Sequence, residues 1–128
     1  MPASRSLLLN GPPPQLIDST ISLLRHAEAL RLPRAVASAA AGVLIHPVID
    51  RLGLGALLPV VVTAESVARG KPAPEAYLEA ARLIARAPNW CLAVDDAPDG
   101  ITSALTAGMR VLAVREGLLV PVPGQTQE

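Results

Sequence analysis

Almost everything that marks a secreted, membrane-bound or nucleic-acid-binding protein is scarce in this sequence. There is one cysteine, Cys91. No disulfide can form within the chain, which fits a reducing, cytoplasmic setting. Phenylalanine is absent and aromatic residues make up 2% of the chain. A core must therefore be built from Leu, Val, Ile and Ala. Lys and Arg number 11, matched by 11 Asp and Glu. Such a balance offers no basic footprint for nucleic acid and no polybasic patch for a membrane surface. No apolar run approaches the roughly 20 residues of a membrane span. Leu7–Leu9 is too short for the apolar centre of a signal peptide. The expectation is a soluble, cytoplasmic protein.

What is present suits one domain of 128 residues, 51% apolar. Residues 1–15 read as an irregular segment in which Leu7–Leu9 forms a short buried strand, stopped by Asn10-Gly11 and the three prolines Pro12–Pro14. Residues 16–115 read as the core. Asp18 or Ser19 is expected to cap a helix with Leu23, Leu24, Ala27 and Leu30 inward. His26 falls on its outer face. Arg34–Ser38 reads as a strand. A helix follows over Val43–Leu52, with Ile45, Val48, Ile49 and Leu52 inward. His46 is expected to be exposed, and Pro47 requires that helix to start near His46. Leu57–Thr63 has the β-branched content of a strand. Pro74 opens a helix to about Arg86 with Tyr77, Ala80, Ala81 and Ile84 inward. Cys91–Val94 is a strand, and Pro98–Ala107 a helix with Ile101, Ala104 and Leu105 inward, ended by Gly108. Arg110–Val114 is the last strand. Residues 116–128 read as a loose tail. Helices alternating with short apolar strands predict an α/β fold in three layers, a parallel sheet covered on both faces. Sites in such sheets lie at the C-terminal ends of the strands, where Ser38, Thr63 and Asp95-Asp96 stand.

One constellation carries chemistry. Lys71 sits in a Gly70-Lys71-Pro72 turn, and the run Cys91-Leu92-Ala93-Val94 ends in Asp95-Asp96. A lysine neutralises phosphoryl oxygens, and paired carboxylates hold the divalent cation that shields the remaining charge. Alone, Lys71 reads as a surface lysine, Asp95-Asp96 as a solvated turn and Ser38 as a small residue in an Ala-rich strand. Asp99 reads as a residue at a helix start, and Cys91 as a small buried hydrophobe. The cluster Asp95-Asp96-Ala97-Pro98-Asp99 is also similar to the acidic opening of a receiver domain. No later strand ends in an aspartate, which excludes that reading.

The stretch Val62 to Leu78, with Cys91 to Ile101 and Ala107-Gly108-Met109, resembles the haloacid dehalogenase-like (HAD) hydrolases, in particular their sugar-phosphate and glycerol-phosphate phosphatases. The resemblance spans about Ser19 to Val114 and implies a Rossmann-like HAD core. It implies that Ser38 hydrogen-bonds the phosphate, that Lys71 binds phosphate and the nucleophile's charge, that Asp96 ligates Mg2+, and that Asp95 supports the metal and the catalytic machinery. The family's first motif, an Asp-x-Asp after a strand, has no counterpart. Leu7–Leu9 runs into Asn10, which carries no nucleophilic carboxylate, and an alternative register places Gly11 and Pro13 at the two catalytic positions. The family's inserted cap is missing too. The middle place in the sheet is expected to fall to Ser6–Leu9. Two functions follow. One is an Mg2+-dependent phosphatase for a small sugar or polyol phosphate. The other is an inactive relative that binds a phosphorylated metabolite or a protein, with a homodimer or a complementing chain completing it.

Overall fold

The computed structural model describes residues 14–125. Leu7–Leu9 and Asn10 lie outside the described residues. Among the described residues four α-helices and five strands follow in order: α1 (Pro14–Ala29), β1 (Ala35–Ala37), α2 (Gly42–Arg51), β2 (Val60–Val62), α3 (Glu75–Leu83), β3 (Leu92–Asp95), α4 (Pro98–Thr106), β4 (Arg110–Arg115) and β5 (Leu118–Pro121). β1 pairs with β2 in parallel, Ala35 opposite Val60. β3 pairs with β4 in parallel, Leu92 opposite Arg110. Among the described residues these are two separate sheets.

Successive strand residues point to opposite faces, and the apolar side chains divide accordingly. Ala37 and Val62 join Ala76, Tyr77, Ala80 and Ala81 of α3 and Ile101 and Ala104 of α4 in one core. Val36 joins Ile45 and Ile49 of α2 in a second core, with Ile21 and Leu24 of α1 packed against it. The layers are α1 and α2, the strands, then α3 and α4, and no cap occurs among the described residues. No helix there is long and apolar enough to cross a membrane.

All four helices end alike. The residue two past each helix's last has a positive φ, and the two amides that follow the turn bond back into it. At Gly53 and Gly108 the left-handed backbone is free of strain. At Arg31 and Ala85 (φ 57 and 58) it is adopted by residues with a Cβ. This is why α1 stops before Leu30, which is 57% exposed rather than inward. It is also why α3 stops at Leu83, short of the expected Arg86. The left-handed conformation costs a non-glycine residue about 1–2 kcal/mol, partly offset by glycine's greater unfolded-state freedom. Ala85→Gly is therefore expected to stabilise the fold by about 0.5–1 kcal/mol, read as a higher urea midpoint with unchanged slope.

Other boundaries also differ from expectation. α1 begins at Pro14, a residue whose fixed φ suits the first helical position, so Asp18 and Ser19 lie inside it rather than capping it. Ser19 instead donates its hydroxyl to the carbonyl of Gly117. α2 begins at Gly42, which leaves Pro47 inside the helix. The carbonyl that loses its partner belongs to Val43, 80% exposed, where water can replace the bond. Leu52 and Leu105 are 40% exposed instead of inward. Leu57 and Leu58 fold into a turn on Leu54 rather than extending β2. The loose tail expected after residue 115 contains β5, antiparallel to β4 through the Glu116-Gly117 turn. β5 therefore adds an antiparallel edge to the parallel β3–β4 pair.

Candidate functional site

The C-terminal ends of β1 and β3 meet at one ammonium group. Lys71 Nζ donates to the carbonyl of Ala37, the last residue of β1, at 3.0 Å. It also donates to Asp95 Oδ2, at the end of β3, at 3.1 Å. The side chains of Lys71 and Asp95 are 2% and 0% exposed. An ammonium has three N–H donors, and the third has no partner among the described residues. Lys71 comes from a tight loop, entered through a cis peptide to Pro72, in which the Ala73 N–H bonds the Gly70 carbonyl.

Asp95 is held from several sides. Tyr77 donates its hydroxyl to Oδ2 at 2.6 Å, and the Ala97 amide donates to Oδ1 at 3.1 Å. The Tyr77 ring lies beneath the Lys71 ammonium, 4.9 Å from its centroid, a distance at which ring and cation attract. Ser38, 1% exposed, follows Ala37 directly, and its Oγ accepts the Ala40 amide at 3.0 Å. The hydroxyl proton remains available to a ligand. Structure thus brings Ser38, Lys71, Asp95 and Asp96 to one edge. Thr63, at the end of β2, is instead engaged with its own following turn. Its side chain forms a capping box with Ser66 and bonds Glu65.

Asp96 differs from its neighbour. Its Oδ1 is buried and has no hydrogen-bond partner. Burial, and then the charge of Asp95, push its carboxyl above the usual range. A desolvated oxygen beside a second carboxylate suits a cation. Mg2+ is commonly held by one or two carboxylates with water and substrate phosphate completing its shell. Asp96 fits one such ligand. No group of three metal-ligating side chains occurs among the described residues. A carboxyl with a raised folded pKa stabilises most at low pH, and that contribution is lost as pH rises through the folded value. Asp96→Asn is accordingly expected to raise the thermal midpoint modestly at neutral pH without metal, and to remove any further rise on adding Mg2+. Differential scanning fluorimetry reads both.

Four supporting residues escaped the sequence reading. The spacing of Tyr77 marks it only as a core residue, and nothing local signals its bond to Asp95. Gly100 packs its α-carbon against the Asp95 carboxylate. Ser103, fully buried on α4, donates to the Ala73 carbonyl at 2.7 Å and so ties down the Lys71 loop. Glu65 Oε1 accepts the Gly42 amide at 2.9 Å, and Ala64 N–H bonds the Ala40 carbonyl, together fixing the segment after Ser38. A glycine in the first turn of α4 was the one visible signal, since glycine there weakens a helix unless close packing demands it. His26, His46 and Asp99 are exposed and outside the cluster, as expected.

Residues 7–108 match the haloacid dehalogenase-like hydrolase family. Over 101 residues the chain is 42% identical to hexitol phosphatase A of Escherichia coli K12, covering 77% of this chain and 45% of that protein. It is 34% identical over 114 residues to fructose-1-phosphate phosphatase YqaB of the same organism, covering 88% and 58%. The crystal structure of β-phosphoglucomutase from Clostridium difficile shares the fold, with a TM-score of 0.71 at 24% identity over 77% of this chain and 43% of that one. The chain spans about half the length of the curated relatives it matches.

Proposed function

The chain belongs to the haloacid dehalogenase-like hydrolase family, and from that premise we propose that its Ser38, Lys71, Asp95 and Asp96 cluster is the phosphoryl-binding centre of a phosphatase for a small sugar or polyol phosphate. The carrying observation is the Lys71 ammonium, fixed between the ends of β1 and β3. A cation held there binds phosphoryl oxygens without first having to be ordered. Ser38 would donate its hydroxyl proton to one phosphoryl oxygen. Asp95 would act through Lys71, holding its charge and direction. Asp96 would hold Mg2+, which when bound neutralises further phosphate charge. The named sugar-phosphate phosphatases among the relatives support the substrate class.

A second reading is binding without turnover by this chain alone. It is favoured by the engagement of both Asp95 oxygens with Lys71, Tyr77 and the Ala97 amide, which is unlike a free nucleophile. Release of inorganic phosphate from an aryl phosphate with Mg2+ separates the two. Turnover that disappears in Asp96→Asn supports the phosphatase. Absent turnover with retained phosphate binding supports the second reading. A folded chain that does neither overturns both.

A further inference from the structure

Tyr77 is the only aromatic residue in the two cores of the described residues. The sequence holds one tyrosine, one tryptophan and no phenylalanine, and Trp90 is 81% exposed. The other residues of the Tyr77 core are alanine, valine, isoleucine and methionine. An aliphatic side chain would fill such a place without bringing a hydroxyl, and burying a hydroxyl costs free energy unless it is bonded. Here it is bonded, to Asp95 Oδ2 at 2.6 Å. That is the short distance of an O–H donor on a charged carboxylate. The same oxygen accepts Lys71 Nζ at 3.1 Å, longer than the usual ammonium–carboxylate bond of about 2.7–2.9 Å. A carboxylate oxygen accepts about two hydrogen bonds, so tyrosine and lysine share this one, with the tyrosine bond the closer.

We propose that Tyr77 is a positioning residue for phosphoryl binding: its hydroxyl takes part of the Asp95 charge, loosens the hold of Asp95 on Lys71, and so leaves the third ammonium N–H to a phosphoryl oxygen. This rests on the phosphoryl-binding reading of the centre given above. Tyr77→Phe isolates the hydroxyl, because the ring stays beneath the ammonium and the packing is kept. Without the hydroxyl, the buried Oδ2 is short of a donor. The Lys71 ammonium already beside it is drawn closer and is less available to phosphate.

Two readouts test this together. Lys71 is the single lysine of the sequence, so its ammonium gives one side-chain 15N resonance. That resonance is expected to move in Tyr77→Phe before any phosphate is added. Calorimetric titration of inorganic phosphate without Mg2+ is expected to show affinity weakened about five- to ten-fold in the same variant. Ile49→Val, a change in the other core, serves as the control for loosened packing. It is expected to lower the thermal midpoint while leaving phosphate affinity within about two-fold of wild type. Wild-type affinity retained in Tyr77→Phe overturns the proposal and leaves the centre standing. So does an equal loss in Ile49→Val, or a weakened affinity with an unmoved resonance, since the hydroxyl then does not act through Lys71. A wild-type chain that takes up no phosphate overturns the centre itself, and the role of Tyr77 with it, whether or not the resonance moves.

Discussion

Gly100→Ala is expected to cost the fold about 3–5 kcal/mol and to lower the thermal midpoint by roughly 10–20 °C. A Cβ at this position would lie 2.0 Å from Asp95 Oδ2 and 2.2 Å from its Cγ, well inside contact distance. Flexible neighbours can yield to an added methyl, but this one is short and fixed. Asp95 is fully buried, and Lys71, Tyr77 and the Ala97 amide hold its carboxylate. Relief requires either moving α4 away from β3 or displacing the carboxylate and breaking a buried ion pair. Alanine favours helix over glycine by up to about 1 kcal/mol, far too little to compensate. Chemical denaturation of the two proteins reads the difference, and an equally stable variant would mean that the Asp95 carboxylate is loosely held.

The second large effect is at Lys71. Lys71→Met keeps the length and packing of the side chain and deletes its charge. It leaves Asp95 buried without its cation, a change that costs about 3–5 kcal/mol when one partner of a buried pair is removed. The Ala37 carbonyl loses its donor in the same step. Adding Asp95→Asn to this variant removes the stranded charge, keeps Oδ1 as an acceptor for the Ala97 amide and turns Nδ2 towards the Tyr77 hydroxyl oxygen, which can accept from it. The double variant is expected to recover about 2 kcal/mol of the loss. That recovery separates the ion pair from simple packing. If the single variant is no less stable than wild type, the pair does not hold these two strand ends together.

Much of this was legible from local patterns, and the residues show why. Val60–Val62 declares a strand by β-branching, and Gly53 and Gly108 mark helix ends because their backbone turns left-handed. Lys71 and Asp95-Asp96 stand out because a turn and a strand end place them there. Arg31 and Ala85 take the same left-handed turn without any compositional mark, so α1 and α3 end earlier than their apolar periodicity suggests. β5 was hidden by the Gly and Pro content around it, although Glu116-Gly117 followed by Leu118-Leu119-Val120 is the pattern of a tight turn into a strand. Tyr77 looks like any core residue on the inward face of a helix. Its hydroxyl matters only because β3 returns alongside α3, 18 residues on, which no window of sequence contains. Ser103 and Glu65 act at similar range. Long-range polar contacts of this kind depend on the completed fold, whereas turns and alternation depend on neighbours in the chain.

Lys71, Ser38 and Asp96 are proposed as one phosphoryl-binding centre. Isothermal titration of inorganic phosphate into the full chain, with and without Mg2+, tests it most directly when run beside Asp96→Asn, whose fold is expected to survive. The expected result is saturable binding to the wild type that strengthens with Mg2+, and an Mg2+ effect that vanishes in the variant. A folded wild-type chain that releases no heat with phosphate under either condition would contradict it, as would a variant that responds to Mg2+ as the wild type does.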